Sequence, residues 1–355
     1  MSKPKVLILY NFILHYRVPF FNELTKHYDV TVLHSGDYQK TKEDNFRVLS
    51  REVKKLGPFF IQSGVIKECK SDYDIVISLF DIRWLSTLIY LSFFKRKNVK
   101  HILWGAWLTK SKIANFLRLK YMQKATANVF YTYSALDDFK KLGLDGKSYV
   151  ANNTFDVKPG LKSYENTEKD LILNVGSLNK RKQNDILIKA FFEIIDEIPD
   201  NINLTFIGTG GDEASLRALT RELGIEQRVE FIAPITSADV LKSYYRRAIV
   251  SASFGQAGLS VLQSMGFGVP FLTSKGAISG GEITNIKNEE NGILVDDLED
   301  LKRSLKVLCN DMSYSKKLGK AAYQYYFKYC TISNMVAGFL DSINSTNTSI
   351  IDKRK

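Results

Sequence analysis

The segment "SFGQAGLSVLQSMGFGVPFLT" (residues 253–273) contains four glycines and two glutamines but no charged residue. Its pattern predicts a loop, a helix from about Leu259, a second loop and a buried strand. A core helix needs no glycine before its first turn, and a solvated surface element would carry Lys or Glu. We therefore interpret the segment as backbone that approaches a ligand, with Gly255 and Gly258 leaving backbone N–H groups free of side-chain obstruction.

Short apolar runs that favour strands alternate with helical patterns on both sides of this segment, along the 355-residue chain. Such strands between helices indicate parallel sheets covered on both faces. The stretch 148–170 breaks the alternation with Asn, Pro, Gly and charged residues, as an interdomain linker does. The sequence thus predicts an α/β protein with two Rossmann-like domains, 1–160 and 165–330, whose parallel sheets face each other across a cleft. Residues 331–355 are predicted as a helix and tail, and packing of this helix on the N-terminal domain is left open.

Composition favours a globular cytoplasmic protein, with 45% hydrophobic and 25% charged residues. Cys69, Cys309 and Cys330 are scattered, which argues against a disulfide framework or zinc site and fits a reducing compartment. The apolar run at 6–10 favours a buried first strand over a signal peptide. The run "WLSTLIYLSFF" is shorter than the ~20 residues that a membrane span needs, so we expect no transmembrane helix.

The formal net charge of +12 is unevenly distributed, because residues 91–130 contain nine Lys or Arg and no Asp or Glu. This block is expected to attract nucleic acid, anionic lipid or a pyrophosphate-bearing substrate. The absence of a helix-turn-helix, RRM or zinc pattern argues against nucleic acid. Within the block, the pattern "KIANFLRLKYMQK" places Ile113, Phe116 and Leu117 on one helix face and leaves the side of Met122 open. Either a membrane-surface helix or a core-packed helix with a basic outer face fits this pattern.

Loops that follow predicted strands carry residues suited to an anion, at the sheet edge where open α/β folds bind ligands. In "NVGSLNKRKQND", Gly176 ends a strand and Lys180–Lys182 precede a helix, which favours anion binding. In "FIGTGGDEASL", Gly208 and Gly210 are followed by Glu213 in the third slot of a dinucleotide fingerprint, so NAD binding is disfavoured. Downstream, Glu282 in "SGGEITNI" is expected to accept hydrogen bonds from sugar or ribose hydroxyls.

These motifs occur in one order: VG(x)5K, FIGTG, VEFIAP, GQAGLSVLQSMGFGVP, GGE and NGILV. The ordered set, over about residues 170–295, resembles the C-terminal half of group 1 glycosyltransferases (glycosyltransferase family 4). The resemblance implies a GT-B fold and a retaining enzyme, with an N-terminal acceptor-side domain and a C-terminal nucleotide-sugar-binding domain. It implies that Lys182 holds the donor diphosphate. The implied donor-binding residues are Gly176, Ser177, Gly208, Gly210, Ile232, Ala233, Gly255, Gln256, Gly258, Leu259, Ser260, Gln263 and Glu282.

Catalysis in such enzymes is expected to depend on stabilising charge on the leaving phosphate, through Lys182, Arg181 and backbone N–H groups. A cation there removes the need for a metal, and we predict no cofactor. His15 follows the first strand and is the best-placed histidine for catalysis, although a structural role is nearly as well supported. Arg17 and Trp104 are predicted on the acceptor side.

The chain departs from the family pattern, which has two glutamates eight residues apart where Gly255 and Gln263 stand here. The usual arginine after the VG glycine is Ser177, and a frequent N-terminal histidine is Ala106. We interpret these changes as a variant active site. The predicted function is sugar transfer from a nucleotide sugar to a lipid-linked saccharide in surface polysaccharide or glycolipid assembly, at the inner face of an anionic membrane. The alternative is a catalytically weak nucleotide-sugar-binding protein.

Overall fold

The apolar runs of the sequence form the strands of two parallel sheets in a computed structural model, which describes residues 2–235 and 237–346. The chain divides into two units, one comprising Asn153–Thr331 and the other comprising the residues before and after that range. The predicted α/β class with parallel sheets is therefore confirmed. No helix within the described ranges is both long enough and apolar enough to cross a bilayer.

The first unit has a seven-stranded sheet in the order β3-β2-β1-β6-β7-β8-β9, with every neighbouring pair parallel. Its strands are β1 (Lys5–Leu9), β2 (Asp29–His34), β3 (Arg47–Ser50), β6 (Ile75–Leu79), β7 (Lys100–Trp104), β8 (Ala127–Phe130) and β9 (Ser148–Val150). The antiparallel pair β4 (Val53–Leu56) and β5 (Phe59–Gln62), which the sequence pattern did not reveal, forms a separate small sheet. The strand order reverses between β1 and β6. Such a reversal is the topological switch point of an open α/β sheet, where ligands usually bind.

One sequence prediction fails at the start of the proposed linker, because Ser148–Val150 is a strand rather than a connecting segment. Val150 pairs with Phe130 in parallel register and is buried. Only three residues long, the strand is too short to give a periodic signal among the polar residues that follow it.

Helices cover both faces of the first sheet. They are α1 (Val18–Leu24), α2 (Val65–Cys69), α3 (Leu85–Ile89), α4 (Lys112–Met122) and α5 (Tyr133–Lys141), with one turn of π-helix at Tyr90–Phe94. One buried cluster includes Phe20 and Phe21 of α1, and another includes Met122 of α4 and Phe139 of α5. Apolar side chains on both faces of β1 are buried because each face supports one of these clusters.

The second unit has a six-stranded parallel sheet in the order β12-β11-β10-β13-β14-β15. Its strands are β10 (Leu171–Val175), β11 (Asn203–Ile207), β12 (Val229–Ile232), β13 (Ala248–Ala252), β14 (Phe271–Ser274) and β15 (Gly292–Val295). Its helices are α6 (Asn184–Ile194), α7 (Glu213–Glu222), α8 (Ala238–Arg247), α9 (Leu259–Gly266), α10 (Leu298–Asn310) and α11 (Met312–Tyr329). The order reverses between β10 and β13, so the loops after these two strands flank the switch point.

The last helix, α12 (Ile332–Asn344), belongs to the first unit, where it packs against α1, β8 and β9. Its Phe339 is fully buried, with ring centroids 4.9 Å from Phe20 and 5.0 Å from Trp104. Gly338 allows this packing, because a Cβ there would overlap the carbonyl oxygen of Val150. The helix thus completes the core of the first unit, although it follows α5, the preceding helix of that unit, by about 190 residues in the chain.

Replacing Phe339 with Ala is expected to lower the free energy of unfolding of the first unit by about 3–5 kcal/mol, since it leaves a cavity among aromatic rings. Urea denaturation followed by tryptophan fluorescence measures this, because Trp104 reports on the same cluster. Phe93→Ala is the control: Phe93 is 78% exposed in the same unit, and its loss should change stability by less than about 0.5 kcal/mol. Equal effects of the two changes would contradict a core role for α12.

Candidate functional site

Loops that follow the strands of the second sheet are joined by backbone hydrogen bonds at its carboxyl edge. Gly176 N donates to Ile207 O and Gly208 N donates to Ile232 O, each at 2.9 Å. Leu178 N donates to Thr209 O, also at 2.9 Å. These bonds continue the ladders of β10, β11 and β12 beyond the strand ends. The predicted glycine-bearing loops therefore lie side by side as one surface.

The two loops that flank the switch point are also joined to each other. Gly255 N, after β13, donates to Lys182 O at 2.9 Å. Ile278 N, in the segment after β14, donates to Gly255 O at 2.9 Å, and Ala257 N donates back to Ile278 O at the same distance. Residues far apart in sequence thus have their backbone groups fixed before any ligand arrives, as a preorganised binding site requires.

Lys182 is the buried cation of this surface, at the end of a 3-10 turn (Lys180–Lys182) before α6. The residue is 6% exposed, and its Nζ donates to Val175 O at 3.2 Å. Burial lowers the pKa of this amine to about 8, with no carboxylate among the causes. A buried ammonium group without a counter-ion is costly, so an anionic ligand beside Lys182 would stabilise the charged form.

The other cationic candidate, Arg181, is exposed, as is Ser177. Between Lys182 and α6, Gln183 adopts a left-handed conformation with φ of 52°, which turns the chain sharply into the helix. The first residue of α6, Asn184, is fully buried, and neither its Oδ1 nor its Nδ2 has a hydrogen-bond partner within the described structure. Sequence reasoning missed Asn184 as a site residue; the signal was a polar amide directly after the basic turn, at the start of the helix.

Glycines at this edge are required by contacts between the loops rather than by the ligand alone. A Cβ at Gly208 would overlap the Gly176 carbonyl oxygen, and one at Gly255 would overlap the Arg181 carbonyl oxygen. Our interpretation of the Gly255 N–H as free for a ligand is wrong, since that group donates to Lys182 O. At Gly258, by contrast, no heavy atom of the described residues other than its chain neighbours lies within 4 Å of the ideal Cβ position, so the space beside it is open.

The helix predicted from about Leu259 is α9, and its N-terminal end points its positive dipole at the carboxyl edge of the sheet. Leu259 and Ser260 in its first turn are partly buried, as is Gln256 before it. One turn further, Gln263 is 7% exposed, and its Oε1 accepts a hydrogen bond from the Tyr245 hydroxyl at 3.2 Å. The amide oxygen of Gln263 is therefore engaged inside the unit.

Glu282 lies in a 3-10 turn (Glu282–Asn285) and is only 4% exposed. Its carboxylate accepts hydrogen bonds from Asn153 Nδ2 at 2.7 Å, Gly280 N at 2.9 Å and Ser279 Oγ at 3.2 Å. These bonds fix the carboxylate within the segment after β14. At the far side of the edge, Ile232 ends β12 partly buried and Ala233 is exposed.

The predicted residues of the first unit fall into two environments. His15 is exposed in a 3-10 turn (His15–Arg17) after β1. Arg17 is 2% exposed, with Nε donating to Tyr10 Oη at 3.1 Å and its guanidinium 5.1 Å from the Trp104 ring centroid. Trp104 is fully buried. Arg17 and Trp104 therefore lie together in the aromatic core, while His15 is open to solvent.

Comparison with known families decides what this arrangement is. The model of the family "Glycosyl transferases group 1" matches residues 161–325, which include every loop described at the edge of the second sheet. The second unit belongs to the group 1 glycosyltransferases. The resemblance of the ordered motifs to group 1 glycosyltransferases is thereby confirmed.

Relatives of this glycosyltransferase domain are moderately similar. An uncharacterized glycosyltransferase of Haemophilus influenzae is 30% identical over 225 residues, 60% of this chain and 61% of that protein. A D-inositol 3-phosphate glycosyltransferase of Corynebacterium glutamicum is 31% identical over 130 residues, 34% of this chain and 30% of that enzyme. The matched region thus spans less than two thirds of either relative.

Solved structures extend the similarity in fold to both units of the chain. Anabaena HepE in complex with UDP superposes with a TM-score of 0.73 at 14% identity, covering 96% of this chain and all of that one. A Rickettsia africae glycosyltransferase superposes with a TM-score of 0.74 at 13% identity, covering both chains completely. At these identities the likeness establishes the fold, and the GT-B class is confirmed.

Proposed function

We propose that this protein is a retaining glycosyltransferase that moves a sugar from a nucleoside diphosphate sugar to a saccharide acceptor. The observation that carries the proposal is the buried Lys182, fixed beside the switch point by the bond from Gly255 N to Lys182 O. A nucleoside diphosphate supplies the negative charge that this buried ammonium group lacks among its neighbours.

The proposed chemistry is the departure of the nucleoside diphosphate from the anomeric carbon, through an oxocarbenium-like transition state. As the carbon–oxygen bond breaks, negative charge grows on the leaving phosphate. We propose that Lys182 and the N-terminal end of α9 stabilise this charge. The exposed side chain of Arg181 supplies a second positive charge. The acceptor hydroxyl then bonds to the anomeric carbon on the face that the nucleoside diphosphate leaves, and its proton passes to the departing phosphate oxygen.

We propose uridine as the nucleoside of the donor, and no metal or other cofactor is part of the proposal. Support for uridine comes from neighbours with the same fold, since Anabaena HepE was solved with UDP and with UDP-glucose. For the acceptor we propose a lipid-linked saccharide of surface polysaccharide or glycolipid assembly, on the cytoplasmic face of a membrane. The basic block at 91–130 supports this acceptor class. His15, exposed after β1, is the residue we propose to contact it.

A nucleotide-sugar-binding protein with weak catalysis is the second candidate. Two observations favour it: Gly255 replaces a glutamate of the family pattern, and the oxygen of Gln263 is already bonded to Tyr245. Under this candidate, the diphosphate is held but the donor sugar is poorly positioned.

A thermal-shift panel of UDP, GDP and their sugars, followed by a transfer assay with a lipid-linked acceptor fraction, tests both candidates. We expect UDP derivatives to stabilise the protein by about 2.7 kcal/mol at a hundred times Kd, since only the folded state binds them. Binding with transfer supports the first candidate, and binding without transfer supports the second. If no nucleotide sugar shifts the melting temperature, both are wrong.

A further inference from the structure

Helix α4 turns three large apolar side chains towards solvent. Ile113, Phe116 and Leu117 are 76%, 57% and 43% exposed, and their spacing puts them on one face of the helix. The opposite face carries Met122 and Arg118, which are 1% and 8% exposed. The sequence allowed two interpretations of this helix. The interpretation in which Ile113, Phe116 and Leu117 pack into the core is therefore wrong.

Two neighbouring segments extend this exposed surface. Phe93, in the π-helical turn Tyr90–Phe94, is 78% exposed, and Trp107, before α4, is 50% exposed. Ser92 Oγ donates to Tyr121 Oη at 3.3 Å, which holds that turn against the C-terminal part of α4. We define the apolar face as Phe93, Trp107, Ile113, Phe116 and Leu117. Single exposed apolar residues are normal, whereas a cluster on one helix and its neighbours marks a contact surface.

Cations surround the apolar face. The exposed lysines between residues 91 and 130 are Lys95, Lys97, Lys100, Lys110, Lys112, Lys120 and Lys124. Lys120 lies over the Phe116 ring, with Nζ 5.4 Å from its centroid. Residues 91–130 contain no Asp or Glu, and the ion pairs found among the described residues of the first unit involve none of these lysines. Their charge is therefore uncompensated on this surface.

We propose that the apolar face docks on an anionic lipid bilayer, with its aromatic and aliphatic side chains at the boundary of headgroups and acyl chains. The surrounding lysines then lie at the level of the lipid phosphates. Charge complementarity selects this occupant. A second copy of the same face would bring the two sets of lysines together, and a nucleic acid would leave the large apolar side chains uncovered.

This inference deepens the proposed function, because a lipid-linked acceptor would be met at the surface where the enzyme docks. Its physical basis does not depend on catalysis. Vesicle binding is measured without donor or acceptor, so failure to dock and failure to transfer sugar give separate results.

Vesicle flotation of the full chain tests the proposal, with phosphatidylcholine vesicles compared with vesicles of phosphatidylcholine and phosphatidylglycerol in equal amounts. We expect binding to the anionic vesicles and little to the neutral ones. The double change Ile113→Ser and Phe116→Ser should weaken anionic binding by at least about tenfold. Lys120→Glu with Lys124→Glu should weaken it by about fivefold or more for each lysine.

Matched changes on the second unit are the controls: Val307→Ser, at a residue 44% exposed on α10, and Lys317→Glu with Lys320→Glu on α11. These should leave flotation unchanged, and circular dichroism should show every variant folded. The proposal is overturned if the wild type does not float, if it binds neutral vesicles equally well, or if the α4 variants bind like the controls. A different result would identify the apolar face as a contact between copies of the chain: the wild type forms a dimer and does not bind vesicles, and the α4 variants are monomeric.

Discussion

Replacing Lys182 with Met is expected to lower kcat/KM for sugar transfer by about 100- to 1,000-fold, the usual cost of removing one preorganised donor to developing negative charge. The expectation rests on the burial of Lys182 and on the absence of a carboxylate among the causes of its pKa shift. Turnover of the donor that binds best in the thermal-shift panel provides the measurement. Lys180→Met, in the same turn but exposed, is the matched control and should retain most activity.

The same Lys182→Met variant is expected to keep or gain stability, which separates a functional cation from a structural one. Burial lowers the pKa of Lys182 from the ordinary 10.5 to about 8. Between these values the unfolded chain binds more protons than the folded one, so this group's contribution to folding stability becomes more favourable as pH rises through the interval. At pH 7 both states are protonated and the buried charge carries its full cost, which an apolar side chain of similar length removes.

The affinity of the wild type for UDP should fall above about pH 8, because deprotonated Lys182 loses its attraction to the diphosphate. Lys182→Met should bind UDP weakly and without this dependence between pH 7 and pH 9. Isothermal titration calorimetry at three pH values measures both. A variant that binds UDP like the wild type at pH 7 would exclude the diphosphate role of Lys182.

The sequence predicted the sheets well because their strands are buried on both faces and so read as continuous apolar runs. The sequence did not predict which side of α4 faces solvent. A periodic pattern shows which residues share a helix face, but it does not show whether that face is buried. The buried side of α4 includes Arg118, whose Nη1 donates to Thr109 Oγ1 at 3.3 Å, and a charged residue gives no sequence signal of burial.

For the site, the ordered motifs identified which loops matter but not why each glycine is there. Glycine is required where a ligand approaches the backbone, and it is equally required where another loop packs closely against it. Only the position of the Arg181 carbonyl oxygen beside Gly255 separates the two reasons. Sequence patterns do not contain such contacts between distant loops, and Asn184 was missed for the same reason.

Gly255→Glu would restore a glutamate of the family pattern, yet it is expected to abolish UDP binding and to lower the free energy of unfolding by at least about 3 kcal/mol. Its Cβ would overlap the Arg181 carbonyl oxygen and lie 2.7 Å from Gln183 Oε1. Relief requires the loop after β10 to move, which breaks the bond from Gly255 N to Lys182 O and displaces the lysine.

Gly258→Ala, three residues along the same loop, is the matched control for this prediction. Among the described residues, no heavy atom other than those of its chain neighbours lies within 4 Å of the added Cβ, and the φ of −105° is outside the left-handed region. Its stability should stay within about 0.5 kcal/mol of the wild type. Urea denaturation of both variants and calorimetric UDP titration of Gly255→Glu provide the measurement. If Gly255→Glu folds normally and gains activity, the loop after β10 is mobile enough to accept a glutamate, and the idea of a prefixed anion site is wrong. If it loses stability and UDP binding while Gly258→Ala keeps its stability, then the missing glutamate reflects the packing of two loops, because a side chain at 255 and the observed position of Lys182 exclude each other.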